Sequence, residues 1–369
     1  MTHNRRAFLT AVGAVAGGGC TTPRGDSSES KKQDSPDDTD SDSRTTIGFG
    51  GDTMLGRDLN AIYGSSDIDP AAVWGDLQPR LESLDGVCCN LECCLSTRGE
   101  RYPNRSYYFR GDPAWAVPAL QAGNVQFASL ANNHAMDYGE VALLDTIDAL
   151  EDGGINVAGG GATPDEAHAP ATFTVGDVDI AVISVADHPW GYAATDDSAG
   201  TSFARTDLDN DDTQRIVRDM INRAQSLDPD LLIASIHWGW NWKEVPNDEL
   251  RAFGHWLVDL GVDLVHGHSA HVVQAIERYD DGVILHDTGD LVDDFGIKGD
   301  LRNDRSFLFE VTLEDAQIDE IRLVPIEIDN GVNLAGDEVA AWLRETIRER
   351  SGDFGTTYER DESELVVRL

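Results

Sequence analysis

Basic residues are scarce in this chain: 28 Lys and Arg stand against 67 Asp and Glu, for a formal net charge of -39. A field of that sign repels polyphosphates and anionic lipid over any long range, which excludes nucleic acid as a partner. The acid is spread through the whole chain, as in TDLDNDDTQ and DDSAGTSF. Self-repulsion on that scale is tolerated where mobile ions screen it, so a halophilic source is expected. The N-terminal apolar run FLTAVGAVA is too short to stay in a bilayer as a spanning helix. Cysteine is rare, 5 residues in all, and none of them form a Cys-x-x-Cys pair. Gly159-Gly160-Gly161 is followed by no Gly-Lys-Ser/Thr, which removes a phosphate loop. Apolar material is plentiful at 40% of 369 residues, enough for the core of a globular protein.

The first residues read as an address. Asn4-Arg5-Arg6-Ala7-Phe8-Leu9-Thr10 pairs two arginines with a short, weakly apolar run, and residues 1–19 resemble a twin-arginine export signal. Gly17-Gly18-Gly19-Cys20 places small residues directly before a cysteine, the pattern of a lipobox whose Cys20 becomes a lipid-modified first residue. The expectation is a protein exported and lipid-anchored to the outer face of the cell membrane. Residues 21–43 contain no large apolar side chain, so residues 20–44 are read as a disordered acidic tether.

From Thr45 onward, short apolar runs alternate with helical patterns, which argues for one α/β domain over 45–330, followed by a C-terminal helix and tail over 331–369. TTIGFGGD, GVCCNLE, VQFASLANNH, VDIAVISVA, DLLIASIHWG, VDLVHGH, HVVQAIERY, GVILHD, SFLFEVTL and IDEIRLVPIEI read as strands. Val73–Leu84, a Pro-started segment over Pro113–Ala122 and Tyr138–Glu151 read as helices, the last stopped by Gly153-Gly154.

Polar residues gather where these runs end. Asp52, Glu92, Asn132-Asn133-His134, His237 and His266/His268 each close an apolar run just before a loop. In open α/β sheets ligands bind in the crevice outside the carboxyl ends of the strands. A mixed set of carboxylate, amide and imidazole is what divalent metals with oxygen and nitrogen preference require. GGDTMLGRDLN, NLE, LANNHAMDYG, SIHWGWNW and HGHSAHVVQAIE followed by HDTGDLVDDF resemble, in order and over about residues 45–330, the CapA family of capsule and poly-γ-glutamate synthesis proteins.

That resemblance implies a calcineurin-like metallophosphoesterase fold, a four-layer α/β/β/α sandwich, and two divalent ions such as manganese, iron or zinc. It implies Asp52 as the first ligand, although the usual Asp-x-His is here Asp52-Thr53-Met54. Glu92 falls where the bridging carboxylate is expected, Asn133 where an amide binds metal, and His134 where an imidazole protonates the leaving group. His237, His268 and His271 are further ligands, with Ser269 standing where the family's GHHPH has its middle histidine. His266 forms a second His-x-His with His268, so His266 and His271 stand as alternatives. Arg110 and Asn132 are candidate substrate contacts. Trp240, with Trp238 and Trp242, is either an aromatic rim or one core face of a strand. Glu244 and Asp290 lie just beyond motifs and are candidates to ligate a metal, to support its ligands or to contact substrate.

In CCNLECC, alternation along a strand turns Cys88, Asn90 and Glu92 to one face and Cys89, Leu91 and Cys93 to the other, so the thiols cannot converge on one ion. They are expected as buried free thiols, a disulfide after a turn near residues 93–94 being the alternative outside the cell, with Glu92 the functional member. The functional expectation is a protein of surface-polymer synthesis or export, acting on an anionic polymer or small molecule as a metal-dependent hydrolase. A non-catalytic polymer-binding component of an export assembly and an extracellular phosphoesterase are the competing readings. Cys20→Ser is expected to leave the protein exported but release it from membranes. Fractionation that still finds the variant in the membrane pellet would reveal a different anchor.

Overall fold

The computed structural model describes residues 44–65 and 67–369; the export signal, Cys20 and the tether to residue 43 lie outside the described residues. β-Branched and apolar runs bounded by glycine form the strands, as their composition requires. In chain order they are β1 (Arg44–Thr53), β2 (Gly86–Leu91), β3 (Val125–Ser129), β4 (Asn156–Ala158), β5 (Ala171–Val175), β6 (Val178–Ala186), β7 (Leu231–His237) and β8 (Leu264–His268). They continue with β9 (Ile276–Tyr279), β10 (Gly282–Leu285), β11 (Asp290–Val292), β12 (Arg305–Glu314), β13 (Gln317–Ile328), β14 (Val332–Leu334), β15 (Glu359–Asp361) and β16 (Glu364–Arg368). The longer helices are α1 (Pro113–Ala122), α2 (Glu140–Asp152), α3 (Asp211–Gln225), α4 (Asp248–Asp259) and α5 (Asp337–Arg350).

These strands form two mixed sheets. The ten-stranded one runs β15-β16-β13-β12-β1-β2-β3-β4, with β11 beside β1 and β14 beside β13. The six-stranded one runs β9-β10-β8-β7-β6-β5. Strands β1, β2, β3 and β4 are parallel, as are β6, β7, β8 and β10, so each sheet presents a row of carboxyl-terminal strand ends. One apolar cluster joins both sheets: Ile47, Phe49 and Phe309 of the first meet Val182, Ile233 and Leu264 of the second. A second cluster joins the first sheet to Trp74, Leu120 and Leu143 of its helices, and a third joins β6, β7 and β8 to Val217 and Met220 of α3 and Phe253 of α4.

The helix expected over Val73–Leu84 is two short pieces, a 3-10 turn over Pro70–Leu77 and a helix over Gln78–Glu82, because Gly75 sits at φ +48 and breaks the turn. Of HVVQAIERY only Ile276–Tyr279 is strand. The segment 331–369 is more than a helix and tail: its last strand, β16, pairs with β13 inside the large sheet. No helix among the described residues is long and apolar enough to cross a membrane.

The four cysteines of CCNLECC are free and buried. Cys88 faces the cluster between the sheets, whereas Cys89 and Cys93 face the helix side, the alternation a strand imposes. Burial raises the Cys88 and Cys93 thiols and pushes Cys89 and Cys94 up to about 12, so none is a thiolate near neutrality. Iodoacetamide is therefore expected to leave these four residues unmodified in the native protein and to label them in denaturant, read by peptide mass. Labelling of the native protein would count against their burial.

Candidate metal centre

The strand register decides what meets at the end of β1. Asp52 lies beside Asn90 of β2 on one side and Asp290 of β11 on the other, while His237 and His268 are direct neighbours at the ends of β7 and β8. The close approach of β1 to the loop before β11 depends on glycine: a Cβ on Gly51 would stand 1.8 Å from the Gly289 carbonyl oxygen. The Asp52 N–H donates to that carbonyl.

Two groups of donor atoms result, each with all atoms within 4.8 Å of one another: Asp52, His237 and His268, and Asp52, Glu92, His271 and Asp290. All six residues are buried. Asp52 belongs to both groups and Glu92 to one. The shared carboxylate is thus Asp52, where the family resemblance implied Glu92, because β1 lies between β2 and β11 and its end is central. Buried polar atoms are almost always paired, yet Asp52 Oδ2, Glu92 Oε1 and Oε2, Asn133 Oδ1, His237 Nε2 and Asp290 Oδ2 have no hydrogen-bond partner. Asp52 Oδ2 faces His271 Nδ1 at 3.1 Å without the alignment of a hydrogen bond. His237 Nδ1 and His268 Nδ1 lie 3.1 Å apart. Two nitrogens each about 2.1 Å from one ion stand about that far from each other. A divalent cation fits the donor set: it would satisfy the unpartnered carboxylate oxygens of Asp52, Glu92 and Asp290 and offset their charge.

The backs of the donors are held. Asn90 Nδ2 donates to Asp52 Oδ1 at 2.7 Å, and Asn132 Nδ2 donates to Asn90 Oδ1 at 3.1 Å and to the Leu91 carbonyl at 2.8 Å. His268 Nε2 is 3.1 Å from Ser235 Oγ. Burial pushes the Asp52 carboxyl up, but the His271 imidazole beside it outweighs that and holds it below the ordinary value. Burial together with the Asp52 charge holds Glu92 well above it, and burial raises Asp290. Burial would depress His271, but the charges of Asp290 and Glu92 hold it well above its usual range. Burial takes His268 down to about 4 and His237 well below neutrality, leaving both as neutral ligands.

Beside the second group, His134 Nδ1 meets Asp137 Oδ2 at 2.6 Å and the ring stacks on Phe109 at 3.8 Å. Its Nε2 is 4.0 Å from Glu92 Oε1. Asp137 is fixed in turn by the Phe109 N–H at 2.7 Å.

The family model for the bacterial capsule synthesis protein PGA_cap matches residues 46–295, a span that contains every donor above. The chain belongs to that family. It is 34% identical over 352 residues to a probable polyglutamine synthesis accessory protein of Mycobacterium tuberculosis, covering 84% of this chain and 92% of that protein. It is 25% identical over 331 residues to the PGA biosynthesis protein CapA of Bacillus subtilis, covering 89% and 83%, and 26% identical over 297 residues to the capsule biosynthesis protein CapA of Bacillus anthracis, covering 78% and 68%. It is a CapA-like protein of surface-polymer synthesis.

Other residues singled out from the PGA_cap-like motifs fall in different places. Asn133, expected as an amide ligand, carries a buried Oδ1 with no hydrogen-bond partner, next in sequence to His134. Asp290, expected as a substrate contact, is among the donors. His271, rather than His266, joins them; His266 is a core residue 3.1 Å from Thr288 Oγ1, its pKa taken down to about 3 by burial. Asn132 is occupied in bracing β2 and the His134 N–H and has no free amide group for substrate. Arg110 lies over the Tyr138 ring, 3.9 Å from its centroid, and donates to the Arg98 carbonyl. Glu244 pairs with Arg350 of α5, so its task is structural. The three tryptophans share no face because β7 ends at His237: Trp238 is buried, Trp240 is 78% exposed, and Trp242 packs on His271 at 5.0 Å.

Asn90, Asp137, Arg105 and the Asp187-His188 pair beside His237 were not legible in the PGA_cap motifs. Asn90 sits inside CCNLECC on the face shared with Glu92, and Asp137 is one helical turn from His134; these spacings were the available signals.

These shifts set a pH dependence. Glu92, Asp290, Asp293 and His271 have raised pKa values, so the folded metal-free chain keeps protons that the unfolded chain releases, and stability falls as pH rises. The depressed His237, His266 and His268 act in the opposite sense, but only up to about pH 6.5, where unfolded histidine has lost its proton. Chelated protein is therefore expected to lose stability as pH rises above about 7, and a saturating divalent ion to flatten that slope. Urea midpoints at constant salt measure it. A flat or rising midpoint without metal would contradict the charge arrangement.

Proposed function

We propose that the chain is an exported, lipid-anchored, metal-dependent hydrolase of an anionic surface polymer, poly-γ-glutamate being the polymer that the family resemblance implies, working beside or within a polymer-export assembly. The fold in this proposal is a four-layer α/β/β/α sandwich of metallophosphoesterase type, supported by the three apolar clusters that link helices to sheet, sheet to sheet, and sheet to helices. The observation that carries the reading is the set of buried, unpartnered carboxylate, amide and imidazole atoms around Asp52.

Asp52, His237 and His268 would hold one divalent ion, and Asp52, Glu92, His271 and Asp290 a second, with Asp52 shared. Ions in such a pair supply Lewis acidity and a water of lowered pKa. Asp137 accepts from Nδ1–H of His134 and so fixes the tautomer, leaving Nε2 facing the Glu92 side. Phe109 covers one ring face and keeps water from it. Burial lowers the His134 pKa and the Asp137 carboxylate counters it; in the imidazolium form, Nε2 is placed to give a proton to the leaving group. Asn90 and Asn132 hold Asp52 in its orientation without adding charge.

Elemental analysis of folded variants tests this. Asp52→Asn is expected to lose both ions, and Glu92→Gln only one, because the amide keeps the size of the side chain but not its charge. His134→Ala is expected to keep both ions and to slow hydrolysis of a γ-linked glutamate oligomer by about 10²–10⁴-fold. Full metal content in Asp52→Asn would remove the shared role. A wild type that takes up no metal, or that binds metal and oligomer without turnover, would favour a non-catalytic polymer-binding component.

A further inference from the structure

Cations are rare in this protein, and beyond residue 43 the only lysines are Lys243 and Lys298. Three cations nevertheless stand around the donor groups, each laid on an aromatic ring. The Arg57 guanidinium lies 5.6 Å from the Phe109 centroid and 6.0 Å from that of Phe295. Phe109 stacks on His134, and Phe295 meets the His271 ring edge-on at 5.1 Å. The Lys298 ammonium is 4.9 Å from the Trp242 ring, which packs on His271. Arg105 lies over Tyr192 at 5.3 Å and donates to the Asn133 carbonyl at 2.6 Å, on the His134 side.

We infer that Arg57, Arg105 and Lys298 form a recognition site for a ligand carrying several anionic groups, which crosses the centre from the His134 side to the His271 side. The inference rests on the two-ion reading above. With Asp52, Glu92 and Asp290 as ligands, three negative charges face two divalent ions and the filled centre carries one net positive charge, so an anion is drawn in despite the acidity of the rest of the chain. The cations have capacity left for it. Arg57 has one carboxylate partner, Asp294 at 3.4 Å; Arg105 has Asp137 at 3.6 Å; Lys298, among the described residues, has none. A guanidinium offers five N–H donors, so both arginines keep donors for carboxylate or phosphate.

The backbone gives an independent reason. Arg57 at φ +47, Trp242 at φ +68 and His271 at φ +58 all occupy the left-handed region. For non-glycine residues this is strained, and such strain persists where the surroundings over-determine it, commonly at ligand sites. Three large side chains held that way around one pocket are not explained by turn chemistry, which would select Gly or Asn. Because the cations sit on both the His134 and His271 sides, the arrangement suits an oligomer with one negative group per repeat. Exposed Tyr107 and Ile297 lie in the same two loops as Arg105 and Lys298 and offer apolar contact to its backbone.

Fluorescence anisotropy of the full, metal-loaded chain with labelled γ-linked hexaglutamate, at fixed salt, tests the inference, with inorganic tripolyphosphate as a competing probe. Arg57→Gln, Arg105→Gln and Lys298→Gln are each expected to weaken binding about tenfold, the triple variant more, with metal content unchanged. Arg215→Gln on the distant face of α3 serves as the control and is expected to bind as wild type. Arg105→Lys, which keeps the charge, should recover part of the loss and so separates recognition from misfolding. Tighter competition by tripolyphosphate, with the same variants losing it, supports the site and assigns phosphate as the anion. Metal-loaded triple variant that binds either probe as wild type does would overturn the inference while leaving the metal reading intact; loss of metal from the wild type would instead overturn the reading on which it rests.

Discussion

Asp52, Glu92 and Asp290 are driven into one dry pocket, and their mutual repulsion is the constraint around which the rest of the site is organised. Ionised carboxylates at such spacing in a low-dielectric interior destabilise the fold unless positive charge joins them. In the metal-free chain that charge comes from the His271 imidazole, held well above its usual range against its burial by Asp290 and Glu92. Divalent ions answer the same demand more completely, since each brings two charges and also satisfies atoms that no protein group reaches.

Such a pocket can only be assembled where backbones converge without side-chain obstruction. Gly51 lets β1 approach the Gly289 carbonyl before β11 main chain on main chain, and the parallel register then sets Asp52 between Asn90 and Asp290. The second sheet contributes His237 and His268 as direct neighbours, so the centre spans both sheets and depends on the apolar cluster between them. A loss of packing between the sheets would therefore be felt first as a change in donor spacing.

The four cysteines illustrate how position overrides chemistry. Thiols are soft metal ligands, and four of them surround Glu92 in sequence, yet each is turned into apolar packing and held protonated by burial. The hard donors of the neighbouring strands remain to define the preference of the site. Around it, an unusually acidic chain keeps Arg57, Arg105 and Lys298 at the mouth, where charge decides what is admitted.

Hydrophobic periodicity and the polar residues closing each run were enough to place the α/β class, most strands and Asp52, Glu92, His134, His237 and His268 near one another, because strand ends in a parallel sheet share an edge whatever the details; the same signal also offered His266, and His271 came only from the family resemblance. The break at Gly75, the pairing of β16 with β13 and the loss of strand after His237 were set by φ values and by contacts far apart in the chain, which a local pattern does not contain. The same holds for function. Which carboxylate is shared, that Asn132 braces while Asn90 orients, that Glu244 belongs to Arg350 and that Asp137 serves His134 all follow from strand order and loop packing. Sequence alone determined the kinds of donor available; the tertiary structure decided their partners, since a side chain's charge is a property of the residue and its neighbours are a property of the fold.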